Sequence, residues 1–305
     1  MPKLTALTHL GFAKETTWGT AVPATKWIPV KNPKPEDVTK WIDDKGLRGI
    51  MADNFAVYEG LNSATYGWDG DFYPDLCPFL FLMLFGQDTV TGTTNYTHKF
   101  QLAAAQPPGY TLSDFNVINE RQFAGAMLEQ LDLKFAVDGG LEYSAKTSSK
   151  SSVVATTTTP TFGTVLPLLG WQAALTIAGV ANTDLIGFDM SIKRKSNIIT
   201  TAQNTQAPKS IVLGPMSVTG KMTFAVEDDT EIGYYLNNTQ PAVVITLTQS
   251  ANVVLTLQMS KCVMKKAAYS RSKDYVELDV NYEAVYNATD GGPMLAQVLN
   301  QIATY

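Results

Sequence analysis

The sequence predicts a mainly β protein built as two tandem sandwich or barrel domains, each with one short helix and long arms between strands. Three observations carry this reading. Thr, Val, Tyr and Phe are abundant, and several segments alternate apolar and polar residues, the period of a half-buried strand. The stretch GLNSATYGWDGDFYPDLCPFLFL, starting at Gly60, returns in diluted form as GPMSVTGKMTFAVEDDTEIGYYL, starting at Gly214. With the offset held at 154 residues, Gly60 falls on Gly214, Ser63 on Ser217, Thr65 on Thr219, Asp75 on Asp229 and Leu82 on Leu236, five identities in 23 places. In both copies an alternating segment ends at an acidic residue that opens a helical run, so the change of period repeats as well. The Ser- and Thr-rich stretch TSSKSSVVATTTTPTFGT reads as the connection, which places the domains at residues 1–159 and 160–305.

Taken in order, the first 30 residues give a loop and a short extended segment around Trp27, whose flanking prolines confine it to a sheet edge. Residues 31–58 mix Lys, Pro, Asp and Gly with Trp41, Ile42, Leu47, Ile50 and Phe55. That is too long for a turn and too apolar for a free linker, so it is expected to be an arm that docks on another copy of the chain, mobile until it does so. Strands are predicted up to Tyr73, then a helix from Asp75 to Gly86 with Pro74 at its opening and Gly86 as its stop. Further strands follow near Tyr96 to Leu102 and Tyr110 to Ile118. The clearest hairpin pairs Met127 to Val137 with Leu141 to Lys146 across Asp138-Gly139-Gly140.

The second half repeats the scheme, with strands at Val165 to Ile177 and Leu185 to Lys193, a polar loop from Ser196 to Ser210, and strands at Ala242 to Thr248, Val253 to Cys262 and Tyr275 to Tyr286. In the last of these Glu277, Asp279 and Glu283 alternate with apolar residues, which predicts an acidic polar face. Leu295, Val298, Leu299 and Ile302 have helical spacing, suggesting a terminal helix or a docking arm. Leu295 and Leu299 join Trp41, Ile42, Leu47, Ile50 and Phe55 as candidate contacts between subunits.

Composition excludes several classes. A net charge of −5 argues against a protein that wraps nucleic acid with a basic face; Lys193-Arg194-Lys195 is the main basic cluster and reads as a solvated strand end. The two cysteines, Cys77 and Cys262, read as reduced core residues rather than a disulfide framework. The start of the chain lacks the apolar run of a signal peptide, and Phe79 to Phe85 is far too short to span a bilayer. Only two histidines occur, His9 and His98, and there is no phosphate loop, dinucleotide fingerprint or nucleophile elbow. No catalytic, cofactor-binding or metal-ligating set is expected. Adjacent carboxylates at Asp43-Asp44 and Glu227-Asp228-Asp229 read as loop and helix-cap residues, with Asp75 and Asp229 in the first turn of their helices.

The motifs GFAKETTWGT, GLNSATYGWDGDFYPDLCPFLFLMLFG, YTHKFQL with PPGYTLSDF, RQFAGAMLEQLDLKF, IGFDMSIKRK and GPMSVTGKMTFAVED extend from residue 11 to about 286. In them the chain resembles the major tail tube proteins of long-tailed, non-contractile bacteriophages. The resemblance implies a structural virion protein, assembled in the host cytoplasm, whose copies associate side by side into rings. One sheet of each subunit would join a continuous barrel, and stacked rings would conduct double-stranded DNA without binding it specifically. With a duplicated chain, three copies would form a pseudo-sixfold ring; a hexamer is the competing arrangement. Tape measure, terminator and distal tail proteins are the further partners implied, with no membrane and no cofactor. A different tail ring component remains open. So does a carbohydrate-binding sandwich using Trp18, Trp27, Trp41, Trp68 and Trp171.

Overall fold

In the structure, a computed structural model, residues 2–305 are described. Strands β1 (His9–Lys14) and β2 (Lys26–Ile28) precede a long hairpin of β3 (Lys31–Asp44) and β4 (Ala56–Asp71). Helix α1 (Phe79–Phe85) leads into β5 (Gly86–Thr91), β6 (Tyr96–Leu102), β7 (Tyr110–Phe115), β8 (Glu120–Ala136), β9 (Glu142–Ser149) and β10 (Val153–Ala155). The second half contributes β11 (Ala173–Ile177), β12 (Val180–Asn182), a second long hairpin of β13 (Leu185–Ile199) and β14 (Ser210–Ala225), and α2 (Thr230–Leu236). It closes with β15 (Val243–Ser250), β16 (Val253–Met259), β17 (Cys262–Ser270), β18 (Glu277–Ala284) and β19 (Leu295–Asn300).

The strands form a sandwich of two sheets, not a closed barrel. The larger sheet contains an uninterrupted antiparallel path of eight strands, β3-β4-β9-β8-β13-β14-β18-β17, and β8 also continues through β7 and β1 to β2. The smaller sheet runs β12-β11-β15-β16-β19-β6-β5. Along the eight-strand path the two halves have one topology. A long hairpin is followed by a helix, and a later hairpin returns so that its second strand pairs with the second strand of the first: β3-β4-β9-β8, then β13-β14-β18-β17. The strands β4 and β14 start at Ala56 and Ser210 and end at Asp71 and Ala225, both pairs 154 positions apart.

Alternation builds the core. Ala64, Tyr66 and Trp68 on β4, Leu131, Leu133 and Phe135 on β8, and Leu278, Val280 and Tyr282 on β18 all turn inward and are buried. Helix α1, FLFLMLF, is apolar all round because it lies wholly inside: all seven residues are buried. Phe81 packs against Phe72, Phe85 and Phe100 at ring distances of 5.7, 6.2 and 5.7 Å. The helix ends at Gly86, whose φ of 85° is left-handed and whose N–H donates to the Leu82 carbonyl.

Three expectations need correction. The first helix begins at Phe79, not Asp75, because Pro78 would occupy the fourth position of the longer helix and has no N–H to make its first backbone bond. Residues 73–77 instead form a turn closed by Cys77 N–H on the Tyr73 carbonyl. The segment 31–58 is not a loose arm: residues 31–44 are strand β3, paired along β4, and only residues 45–55 are a loop. The tail is not helical. Leu295 to Asn300 form β19, which slots between β16 of the second half and β6 of the first, so backbone partners on both sides override an apolar spacing that suits either structure. His98 secures the chain just beyond β19, bonding Asp88 at 2.8 Å and the Ile302 carbonyl at 2.7 Å.

Since Phe81 has no route to solvent, Phe81→Ala should cost about 3–5 kcal/mol of folding stability, read as a lower denaturant midpoint.

Candidate functional site: a polar sheet face with two open edges

The side chains of the eight-strand path that do not enter the core make one broad polar face. The three carboxylates predicted for it are all on β18, and each lies beside a lysine. Asp279 meets Lys221 of β14 at 2.9 Å and accepts a bond from Thr223 at 2.8 Å. Glu283 pairs with Lys265 of β17 at 3.0 Å, and Glu277, which is nearly buried, with Lys273 at 2.8 Å. On the first half Lys146 faces Glu129 at 2.9 Å, and Lys31 faces Asp71 at 2.7 Å. Antiparallel neighbours place opposite charges side by side, which cancels the field a run of carboxylates would project. Partial burial pushes the Asp279 carboxyl up, but the bonds from Lys221 and Thr223, with the charges of Lys221 and Lys266, outweigh it and hold the group below its ordinary range.

The junction between halves lies in the middle of this face. Strands β8 and β13 pair from Ala136 opposite Gly187 to Gln130 opposite Lys193. Ser191 donates to Asp132 across it, and Ser196 donates to Glu129. Beneath it Arg194, 6% exposed, bonds the carbonyls of Leu84, Gly214 and Leu213, so it caps the end of α1 while pinning the second hairpin to the first half. Burial lowers the pKa of its guanidinium. The basic cluster Lys193-Arg194-Lys195 therefore does not point one way: its central member is structural. Sequence reasoning missed this; the signal was an arginine at an inward-facing position of an alternating strand.

At either end of the path the sheet stops. Strand β3 pairs only with β4, and β17 only with β18, so each has an unpaired outer edge. Beyond β9 the β3–β4 hairpin continues as an overhang whose apolar side chains are open: Trp41, Ile42 and Tyr58 are more than half exposed, as is Ile50, and Leu47 is fully so. Phe55 is half-buried beneath the Arg48 guanidinium, 4.7 Å away. Leu295 and Leu299 are far from this patch, in the middle of the smaller sheet, and Leu295 is buried.

The remaining candidates separate by burial. Trp68 is in the core, Trp18 and Trp27 are half-buried, and Trp41 and Trp171 are exposed on different elements, so the five tryptophans do not form one platform. Cys77 and Cys262 are free and buried, and burial pushes the Cys262 thiol up to about 12. Asp75 lies in the turn before α1, where burial raises its carboxyl pKa; Asp229 is the residue before α2 but makes no capping bond, and Asp228 accepts the Thr230 N–H instead. Among the described residues no group of three His, Cys, Asp or Glu side chains could hold a metal, and no helix is long and apolar enough to cross a membrane.

The sandwich thus carries a charge-paired face between two open strand edges, and its two halves share one strand order along that sheet. The family model described as phage tail tube protein matches residues 5–284, nearly the whole chain, and the chain belongs to that family. No curated protein matches it. It is accordingly a structural component of the virion tail, and not an enzyme.

The pairing of Asp279 has a measurable sign. Its folded pKa lies below 3.8, so the pairing contributes stability above that value and loses it as pH falls through the depressed pKa. Asp279→Asn should lower stability at about pH 6 by less than about 1 kcal/mol, because the pair is partly solvated, and denaturant titrations should show the gap closing as pH falls through the depressed pKa.

Proposed function

We propose that three copies of this chain close into a ring, that rings stack into the tail tube, and that the eight-strand face lines the channel through which double-stranded DNA leaves the virion. The single observation that carries this is the repeated strand order: each half supplies the same four-strand unit to one sheet, and the sheet is left open at both ends. The halves, residues 1–159 and 160–305, then act as two tube-type domains, and a ring of three chains presents six of them.

Geometry favours three copies over six. Three copies give twenty-four strands; at about 4.8 Å spacing and about 40° tilt these close into a barrel roughly 48 Å across, leaving roughly 35–40 Å inside the side chains. B-form DNA, roughly 20 Å wide, passes with clearance. Two copies would leave almost none, and six would make a barrel roughly 95 Å across. A wall of neutralised pairs suits a conduit, because it offers neither a basic stripe to hold phosphates nor a strong barrier to their entry.

Stacking is assigned to the hairpin tips. Strands β4 and β14 run in the same direction in the sheet, so the tips of β3–β4 and β13–β14 lie at one end, and the β8–β9 and β17–β18 turns at the other. The two tips already touch: Gln206 donates to the Glu59 carbonyl at 3.2 Å, and Asn62 N–H to the Gln206 carbonyl at 3.0 Å. Trp41, Ile42, Leu47 and Ile50 then meet the next ring, and the tube's ends and lumen meet the terminator, distal tail and tape measure proteins.

Electron microscopy of the concentrated protein is the test. End-on views of hollow rings with threefold symmetry and six similar lobes are the expected result; true sixfold symmetry would overturn the trimer, and a monomer at every concentration would overturn self-assembly. Replacing Leu47 and Ile50 with Asp should leave rings intact but shorten or abolish tubes.

A further inference from the structure

Resting on the ring reading above, we infer that the seam between copies reproduces the junction already present inside the chain, pairing β17 of one copy antiparallel with β3 of the next so that Glu36 stands opposite Ala268.

The internal repeat fixes the register. Ala64 pairs with Ser149 and Asp71 with Glu142 in the first half; Val218 pairs with Ala284 and Ala225 with Glu277 in the second. These partners correspond under a single shift of each strand. One irregularity in each ladder coincides too, while the second in β3–β4, between Lys31 and Lys34, and the second in β13–β14, between Leu185 and Gly187, fall at different places. The β3–β4 ladder skips a residue between Thr39 and Trp41, and β13–β14 between Arg194 and Ser196. The β8–β9 ladder skips between Leu128 and Gln130, and β17–β18 between Met264 and Lys266. Bulges mark absolute positions in a ladder, so the correspondence has no freedom to slide. It makes Glu36 the counterpart of Ser191, and Ala268 the counterpart of Asp132.

Within the chain Ser191 stands opposite Asp132. Carried to the open edges, that pairing sets Glu36 opposite Ala268, Lys34 opposite Ser270 and Val38 opposite Lys266. The chemistry of the edges agrees with it. On the polar face Glu36 becomes the diagonal neighbour of Lys266, an opposite-charge contact. On the other face Pro35 meets Tyr269, in the places held within the chain by Met190 and Leu133. Those two are buried, whereas Tyr269 is 39% exposed beside an edge that has nothing on it.

The proline fits as well. The Val137 N–H donates to the Ile186 carbonyl, so alternate residues from Ile186 through Met190 direct their backbone groups at β8. Pro35, the counterpart of Met190, therefore turns its missing N–H outward, which discourages pairing at the free edge and costs the seam one ladder bond at the Tyr269 carbonyl, while its own carbonyl and both groups of Asp37 remain available. The overhang follows the same rule. Ile211 is 2% exposed, covered by Met127 and Trp18 of the first half; its counterpart Val57 is 52% exposed, and the surface that would cover it belongs to the neighbouring copy.

The test is disulfide trapping in assembled tubes. Glu36 and Ala268 lie at opposite ends of the sheet path in one chain, so a Glu36→Cys/Ala268→Cys variant can cross-link only between copies. In the inferred register this is a non-hydrogen-bonded pair, whose close Cα atoms suit a disulfide. Mild oxidation should convert most of the chain to a covalent closed trimer on a non-reducing gel, and Lys34→Cys/Ser270→Cys should do the same. Val38→Cys/Ala268→Cys, two residues out of register, should stay largely uncross-linked. Tubes of normal appearance in which both in-register pairs fail to cross-link would overturn the register while leaving the ring intact. Should the unsubstituted protein form no ring at all, the ring reading itself falls.

Discussion

The pairing of β8 with β13 is the interaction on which the rest depends. A strand edge is a row of backbone donors and acceptors, and each half of this chain leaves two such edges on its four-strand unit. Joining one edge of each half satisfies half of that demand inside the chain and leaves the other half at β3 and β17. The same geometry that makes the monomer one body therefore leaves it unfinished. The smaller sheet reinforces the join from the opposite layer, where β19 is held between a strand of each half. Arg194 adds a third tie between the second hairpin and the helix of the first half.

Charge placement on the polar face comes from the same antiparallel order. On β18 Asp279 stands beside a lysine of β14 and Glu283 beside a lysine of β17, and the first half places Glu129 next to Lys146. Each pair contributes little to stability, because both members remain partly solvated. Their effect is on the field. A surface of neighbouring opposite charges is screened within a few ångströms by its own partners, so it projects no strong field of either sign.

The core tolerates the open edges because it is continuous. A single apolar cluster runs from Leu10 through α1 to Val298, spanning both halves, and the seven buried residues of α1 fill the space between the sheets. Burying this much apolar surface in one body gives the fold its stability without help from the edges, so they are free to serve association.

Much of this was legible in the sequence because it is local. Alternation located β8, β9, β13 and β18 of the large sheet, FLFLMLF with its following glycine located α1, and the faint repeat at an offset of 154 falls on two strands that start and stop in step. Exposed Trp41, Leu47 and Ile50 were identified from composition alone, since apolar residues on a segment rich in Lys, Asp and Pro have no core to enter. The tertiary structure decided what depends on partners distant in the chain. It made residues 31–44 a strand, because β4 supplies their backbone bonds; it made Leu295 to Asn300 a strand, because β16 and β6 flank a vacant position; and it paired Asp279 and Glu283 with lysines of the neighbouring strands. A sequence specifies which way each side chain points along its own strand, but the ladder beside it is chosen by pairing across the chain, and only the folded sheet contains that choice.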